Sequence, residues 1–232
     1  MKRLVILITF ILISLNSKAQ KIDHTLWSSF LQKHVTANGN VNYKSIKANE
    51  ADLNTYLNQF VKISPQESWA KNETLAYWIN AYNAFTIKLI IDNYPVNSIK
   101  DIKNPWDKKF IPVDGKMISL NFIEHSILRK MNEPRIHFAI NCASVSCPKL
   151  LNKAYLPETL DSQLDVATTT FISSENNSIK QDKLALSKIF KWFAEDFKKE
   201  GSLIDFLNNY SKTKINSHPK IVYFDYNWDL NE

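Results

Sequence analysis

The chain has 232 residues and a formal net charge of +6, with no run of basic residues interleaved with aromatics, so a dedicated nucleic-acid surface has no support. Its three glycines, Gly39, Gly115 and Gly201, stand far apart, which leaves no glycine-rich loop to cradle a phosphate. Aromatic residues make up 12% of the chain, enough for a sizeable core.

The first residues read as an export leader. Lys2-Arg3 is a charged start, Leu4–Leu15 an apolar stretch, and Ser17-Lys18-Ala19 a small-x-small cleavage site. The apolar stretch is short for a membrane span, and no second one follows. No cysteine lies near the cleavage site, which excludes a lipoprotein anchor. The expectation is a signal peptide over residues 1–19 and one soluble domain over 20–232. That domain would be exported to the periplasm or outside the cell, with no membrane contact after leader removal. Lys2, Arg3 and Lys18 leave with the leader, so the mature chain is only mildly basic.

Asp23 can cap a first helix with Leu26, Trp27, Phe30 and Val35 on its apolar face. Asn38-Gly39-Asn40 is a turn. Ile46, Leu53, Tyr56, Leu57 and Phe60 predict a second helix. Ser64-Pro65-Gln66-Glu67 has the form of a capping box, and predicts a further helix start.

The next helix, Asn72–Asn93, is apolar around most of its circumference and ends at Tyr94-Pro95. Such a helix is buried. Asn80, Asn83 and Thr86 nevertheless fall on one stripe. Buried amides need partners. They either hold the backbone of neighbouring loops or face a polar cleft.

Phe110–Leu120 reads as a hairpin turning at Asp114-Gly115. Asn121-Phe122-Ile123-Glu124 resembles a capping box and opens a short helix to about Lys130, which carries His125.

Arg135–Leu150 gathers the chemistry of the chain: His137, Asn141, Cys142 and Cys147. Ile136, Phe138 and Ile140 alternate with His137, Ala139 and Asn141, which predicts a strand. On that strand His137 and Asn141 would share a face about 13 Å apart. Cys142 would point the other way. Ala143–Ser146 is then a loop of small residues, stopped at Cys147-Pro148.

Pro157 can begin a helix with Leu160, Leu164, Ala167 and Phe171 inward. Leu184–Leu186 predicts a short strand, Ile189–Lys199 an aromatic-rich helix, and Ser202–Asp205 the start of the last helix. Val222, Phe224, Tyr226 and Trp228 alternate as a C-terminal strand. Strands among helices without βαβ spacing make this an α+β pattern. The predicted fold is a single domain of several helices around a small, mainly antiparallel sheet.

Five segments occur together in order: Tyr77–Ala84, Ile123–Arg129, His137–Pro148, Ile189–Phe193 with Asp196-Phe197, and Tyr226–Asn231. Together they resemble the family catalogued as domain of unknown function 547. The resemblance spans nearly the whole mature chain and implies an exported single-domain protein of bacterial type. Plant relatives carry a leucine-zipper-like segment, and this chain has no heptad region. The family implies no particular reaction.

The helix–hairpin–strand order is similar to papain-like and transglutaminase-like folds. There a cysteine begins the central helix; here that helix offers Trp78, Asn80 and Asn83 and no cysteine. In an exported protein, Cys142 and Cys147 are expected to pair as a disulfide.

The leading expectation is a cleft that binds a neutral polar ligand, peptide or sugar-like, through Asn80, Asn83, His125 and Asn141. The alternative is a thiol-dependent hydrolase or acyltransferase. Its general base would be His137, or alternatively His125, and its nucleophile Cys142 or Cys147. A Cys/His metal site is a third reading, but Cys-x4-Cys is a loose signal for it. No cofactor and no resident metal are expected.

Overall fold

The computed structural model describes residues 21–199 and 201–232, so the expected leader and its cleavage site lie outside the described residues. The fold is built on α4 (Lys71–Asn93), whose residues from Leu75 to Ile87 are all buried. α1 (His24–His34), α2 (Tyr43–Ala48) and α3 (Ala51–Lys62) surround it on one side. α1 starts as expected, with the Asp23 carboxylate accepting from the Thr25 N–H at 2.9 Å. Aromatic rings tie these helices together. Trp27 stacks on Tyr56 at 5.2 Å, Tyr56 meets Phe60 edge-on at 5.2 Å, and Phe60 meets Tyr77 at 5.0 Å. Each such pair adds about 0.5–1.5 kcal/mol beyond its buried area.

The hairpin forms where Asp114-Gly115 demands it. β1 (Ile111–Val113) pairs antiparallel with β2 (Lys116–Ile118), and both turn residues have positive φ, 52° and 69°. Beyond it, α5 (Leu160–Ile172) packs on the turn Pro134–Phe138. β3 (Ser178–Ile179), β4 (Lys183–Leu186) and β5 (Lys220–Tyr223) form a second sheet in that order. The β3–β4 pair is antiparallel and the β4–β5 pair parallel. α6 (Ile189–Trp192) and α7 (Leu203–Tyr210) complete a second apolar cluster around Phe138. The whole is an α+β arrangement of helices with two small sheets, mostly antiparallel.

Several expectations are corrected. The stretch after Arg135 is not a strand. Pro134–Phe138 is a 3-10 helix, and Ala139–Cys142 continues without a ladder partner. Local chemistry overrides the alternation here. Pro134 fixes the first helical position, and the Glu133 carboxylate accepts from the Arg135 N–H at 3.2 Å. Ile136 and Ala139, three apart, then face the main core, while Phe138 enters the second cluster. The papain-like layout therefore lacks its histidine-bearing strand.

The helix expected across Ile46–Phe60 breaks in two. The Asn49 side chain accepts from the Ala51 N–H at 3.1 Å and starts α3 afresh. Ser64–Glu67 forms no helix, because the Gln66 side chain turns back to the Ser64 carbonyl. The 121–130 helix is a π-helix, Phe122–Ile127, followed by a 3-10 turn, Leu128–Met131. The Ile189–Lys199 helix is only α6 plus a 3-10 turn, Asp196–Lys198.

Residues 224–231 run back as an extended strap. Val41 N–H donates to the Asn231 carbonyl at 2.8 Å, and Leu230 N–H to the Asn97 carbonyl at 2.9 Å. Val145 N–H donates to the Asp229 carbonyl at 2.9 Å, and Tyr43 hydroxyl to the Asn231 side chain at 2.8 Å. The strap thus joins the α1–α2 turn, the loop after α4 and the cysteine loop.

Candidate functional site

The two asparagines of the α4 stripe are backbone clamps, while the buried Thr86 hydroxyl meets no hydrogen-bond partner among the described residues. Asn80 donates to the Tyr155 carbonyl at 2.7 Å and accepts from the Tyr155 N–H at 3.0 Å. Asn83 donates to the Ala139 carbonyl at 2.9 Å and accepts from the Asn141 N–H at 2.8 Å. The Asn141 side chain braces its own loop, donating to the Pro148 carbonyl and accepting from the Ala143 N–H, both at 2.8 Å. None of the three asparagines lines the cleft that holds the other candidates.

That cleft has a volume of about 260 Å³ and brings together His125, His137, Cys142 and Cys147. Trp106, Trp192, Phe193, Tyr226 and Trp228 form its walls, and Glu124 and Tyr82 reach it from the π-helix and α4. The Trp192 and Trp228 rings lie 5.8 Å apart, their planes inclined by 28°.

One of its lining residues, His137, is backed by a charged pair that does not itself line the cleft. His137 Nε2 lies 2.9 Å from Asp196 Oδ2, and Arg129 Nε lies 2.6 Å from the same oxygen. Burial opposes the charge on Asp196, but the hydrogen bonds from His137 and Arg129 hold its carboxyl well below the usual range. An ionised carboxylate only accepts, so Nε2 carries the proton. His137 Nδ1 is then a bare acceptor, buried and without a hydrogen-bond partner among the described residues. The ring stacks on Phe193 at 3.9 Å. Burial lowers the His137 pKa despite Asp196. His125 takes a hydrogen bond from Arg129 Nη1 at 2.9 Å, and burial with that neighbouring cation lowers its pKa as well.

Glu124 is pushed up to about 7 by burial; the Tyr82 hydroxyl, donating at 3.2 Å, and Arg129 hold it back from going further. A buried carboxyl that titrates near neutrality can donate as well as accept.

Cys142 and Cys147 are joined as the expected disulfide, with Cα atoms 6.3 Å apart. In that state neither sulfur is a nucleophile. Among the described residues, no three His, Cys, Asp or Glu side chains gather as a metal-ion site. Among them, too, no helix is long and apolar enough to cross a membrane.

Sequence reasoning missed Glu124, Arg129, Asp196 and the aromatic walls. Glu124 read as a capping residue, yet Asn121 gives no cap and instead donates to Asp107 at 2.6 Å. Asp196 and Arg129 stand beside other charges, Glu195 and Lys198 for the one and Lys130 for the other, so nothing local singles them out. Their 67-residue separation hid the pair.

The family model described as "Protein of unknown function, DUF547" matches residues 66–172. No curated protein and no solved structure matches the chain. The matched segment holds α4, the hairpin, Glu124, both cleft histidines, the disulfide and α5, while Asp196 and the walls from Trp192, Tyr226 and Trp228 lie beyond it. Over residues 66–172, a little under half of its length, the chain is similar to the DUF547 family.

Proposed function

We propose that the protein binds a small neutral polar ligand with an apolar face, a sugar-like ring or a short peptide, in the aromatic-walled cleft. The observation that supports this best is the pairing of tryptophan walls with the hydrogen-bonding side chains of His125, His137 and Glu124 in one cleft. Aromatic faces favour a ring or an apolar edge. The neutral histidines and the Glu124 carboxyl can exchange hydrogen bonds with a neutral partner, and Asp196 takes up the charge of Arg129. The same reading keeps the protein as an exported one, acting in the periplasm or outside the cell.

Titration of the oxidised protein with neutral oligosaccharides and short peptides, followed by tryptophan fluorescence, tests this. One class should saturate the signal, and Trp192→Ala should weaken that binding by about tenfold, as for an aromatic anchor. No saturable response from either class would overturn the reading.

A hydrolytic reading is favoured by one feature, the His137–Asp196 pair with its bare Nδ1. A bare, neutral imidazole nitrogen is the form a general base takes. Turnover of a bound ligand that disappears in His137→Gln, while ligand affinity stays, would establish it. Binding without any turnover would leave the protein a binder.

A further inference from the structure

We propose that the Cys142–Cys147 bond is a reactive group of the cleft, open to exchange with small thiols, rather than a staple of the fold. This does not depend on which ligand the cleft takes.

The loop is held without the bond. Val145 N–H donates to the Asp229 carbonyl at 2.9 Å, Ser146 N–H to the Asn227 carbonyl at 3.2 Å, and Cys147 N–H to the Ser144 carbonyl at 3.0 Å. Asn227 N–H donates to the Ser146 hydroxyl at 2.9 Å, and the Asn141 side chain clamps both ends of the loop. A cross-link between residues five apart also constrains the unfolded chain little. Fold stability therefore gives no strong reason for the bond.

The sulfurs, by contrast, are placed for chemistry. Both line the cleft, and Cys142 is the more exposed; Cys147 is 8% exposed. The Cys142 N–H donates to Cys147 Sγ at 3.0 Å. The Tyr226 hydroxyl lies 3.2 Å from Cys147 Sγ and 3.3 Å from Cys142 Sγ. The Ser144 hydroxyl donates to the Tyr226 oxygen at 3.2 Å, which leaves the Tyr226 proton free for a sulfur. Donors aimed at a sulfur stabilise it as a thiolate and make it a better leaving group.

The exchange then has a direction. An incoming thiolate attacks Cys142 Sγ, forming a mixed disulfide there. The Cys142–Cys147 bond breaks, and its electron pair leaves on Cys147 Sγ, held by the Cys142 amide and the Tyr226 hydroxyl. A second thiolate attacks the small-molecule sulfur of the mixed disulfide. The small thiol departs as its disulfide, and Cys142 is freed. Two thiols are oxidised, the protein disulfide is reduced, and their two protons end on the cysteines.

The test uses the oxidised full chain, reduced glutathione and no denaturant. Alkylation and mass spectrometry should find reduction while the far-ultraviolet dichroism stays native. In the single-cysteine variants, oxidised glutathione should load Cys142 in Cys147→Ser much faster than Cys147 in Cys142→Ser. Tyr226→Phe should slow reduction of the wild-type pair by about tenfold, the loss of one hydrogen bond to a charged sulfur. Reduction only at the rate of global unfolding, preferential loading of Cys147, or an unchanged rate in Tyr226→Phe would each overturn the proposal. Ligand titration of the oxidised protein is a separate readout, so either reading can fail alone.

Discussion

Two polar clusters bear on the same buried helix, and they differ in how fully their groups are paired. Around Asn80 and Asn83, the side-chain oxygen and nitrogen of each amide meet a backbone partner, and the loops carrying Tyr155, Ala139 and Asn141 are fixed by them. Around Tyr82, pairing is incomplete. Glu124 titrates near neutrality and His137 Nδ1 faces no partner among the described residues. Buried polar groups that are completely satisfied hold structure; those left open retain capacity for something else. The contrast assigns the first cluster to architecture and the second to the cleft.

The largest expected effect falls on the first cluster. Asn83→Ala strands the Ala139 carbonyl and the Asn141 N–H in a buried site, and should cost about 4 kcal/mol of stability in urea unfolding. Ligand affinity per folded molecule should not change. A loss below about 1 kcal/mol would erase the distinction between the clusters.

The next effect lies in the cleft. Glu124 rises from its ordinary 4.5 to about 7 in the folded state. Its contribution to stability is therefore fully present below pH 4.5 and is lost as pH rises towards 7, on the order of 3 kcal/mol. Glu124→Gln removes that titration, so the variant should gain on the wild type steadily between pH 4.5 and pH 7. Parallel stability curves for the two proteins would contradict the shift.

The smallest effect concerns His137 and the charged pair behind it. The His137 imidazole should titrate below 6.5 by nuclear magnetic resonance, since burial outweighs the neighbouring carboxylate. Asp196→Asn removes the one group that raises it, so its pKa should fall further. A rise in Asp196→Asn would mean that the carboxylate is not the partner of Nε2.

How much of this was legible in the sequence depended on the range of the interactions involved. α4 and the Asp114-Gly115 hairpin are local, one set by apolar residues around the helix and the other by turn chemistry, and both were readable. The strand expected at Ile136–Asn141 failed because a one-turn 3-10 helix capped by Glu133 also presents Ile136 and Phe138 to two cores. The disulfide was legible from composition. The cleft histidines and cysteines were legible as residue types, but the asparagines beside them were not distinguishable as clamps, because their partners are backbone groups of distant loops. Asp196 and the aromatic walls depend on contacts across the chain that no local pattern encodes.

The strap of residues 224–231 sets the order in which the protein can be finished. The Tyr43–Asn231 hydrogen bond spans 188 positions, and the Trp106–Trp228 contact joins the middle of the sequence to its last residues at the cleft. A chain emerging from the ribosome makes α1 to α5 before residues 226–231 exist. During that interval the cysteine loop lacks the carbonyls of Asn227 and Asp229, both sulfurs lack the Tyr226 hydroxyl, and one wall of the cleft is missing. The α4 core precedes the cleft in time, and the cleft is walled in only with the arrival of the strap.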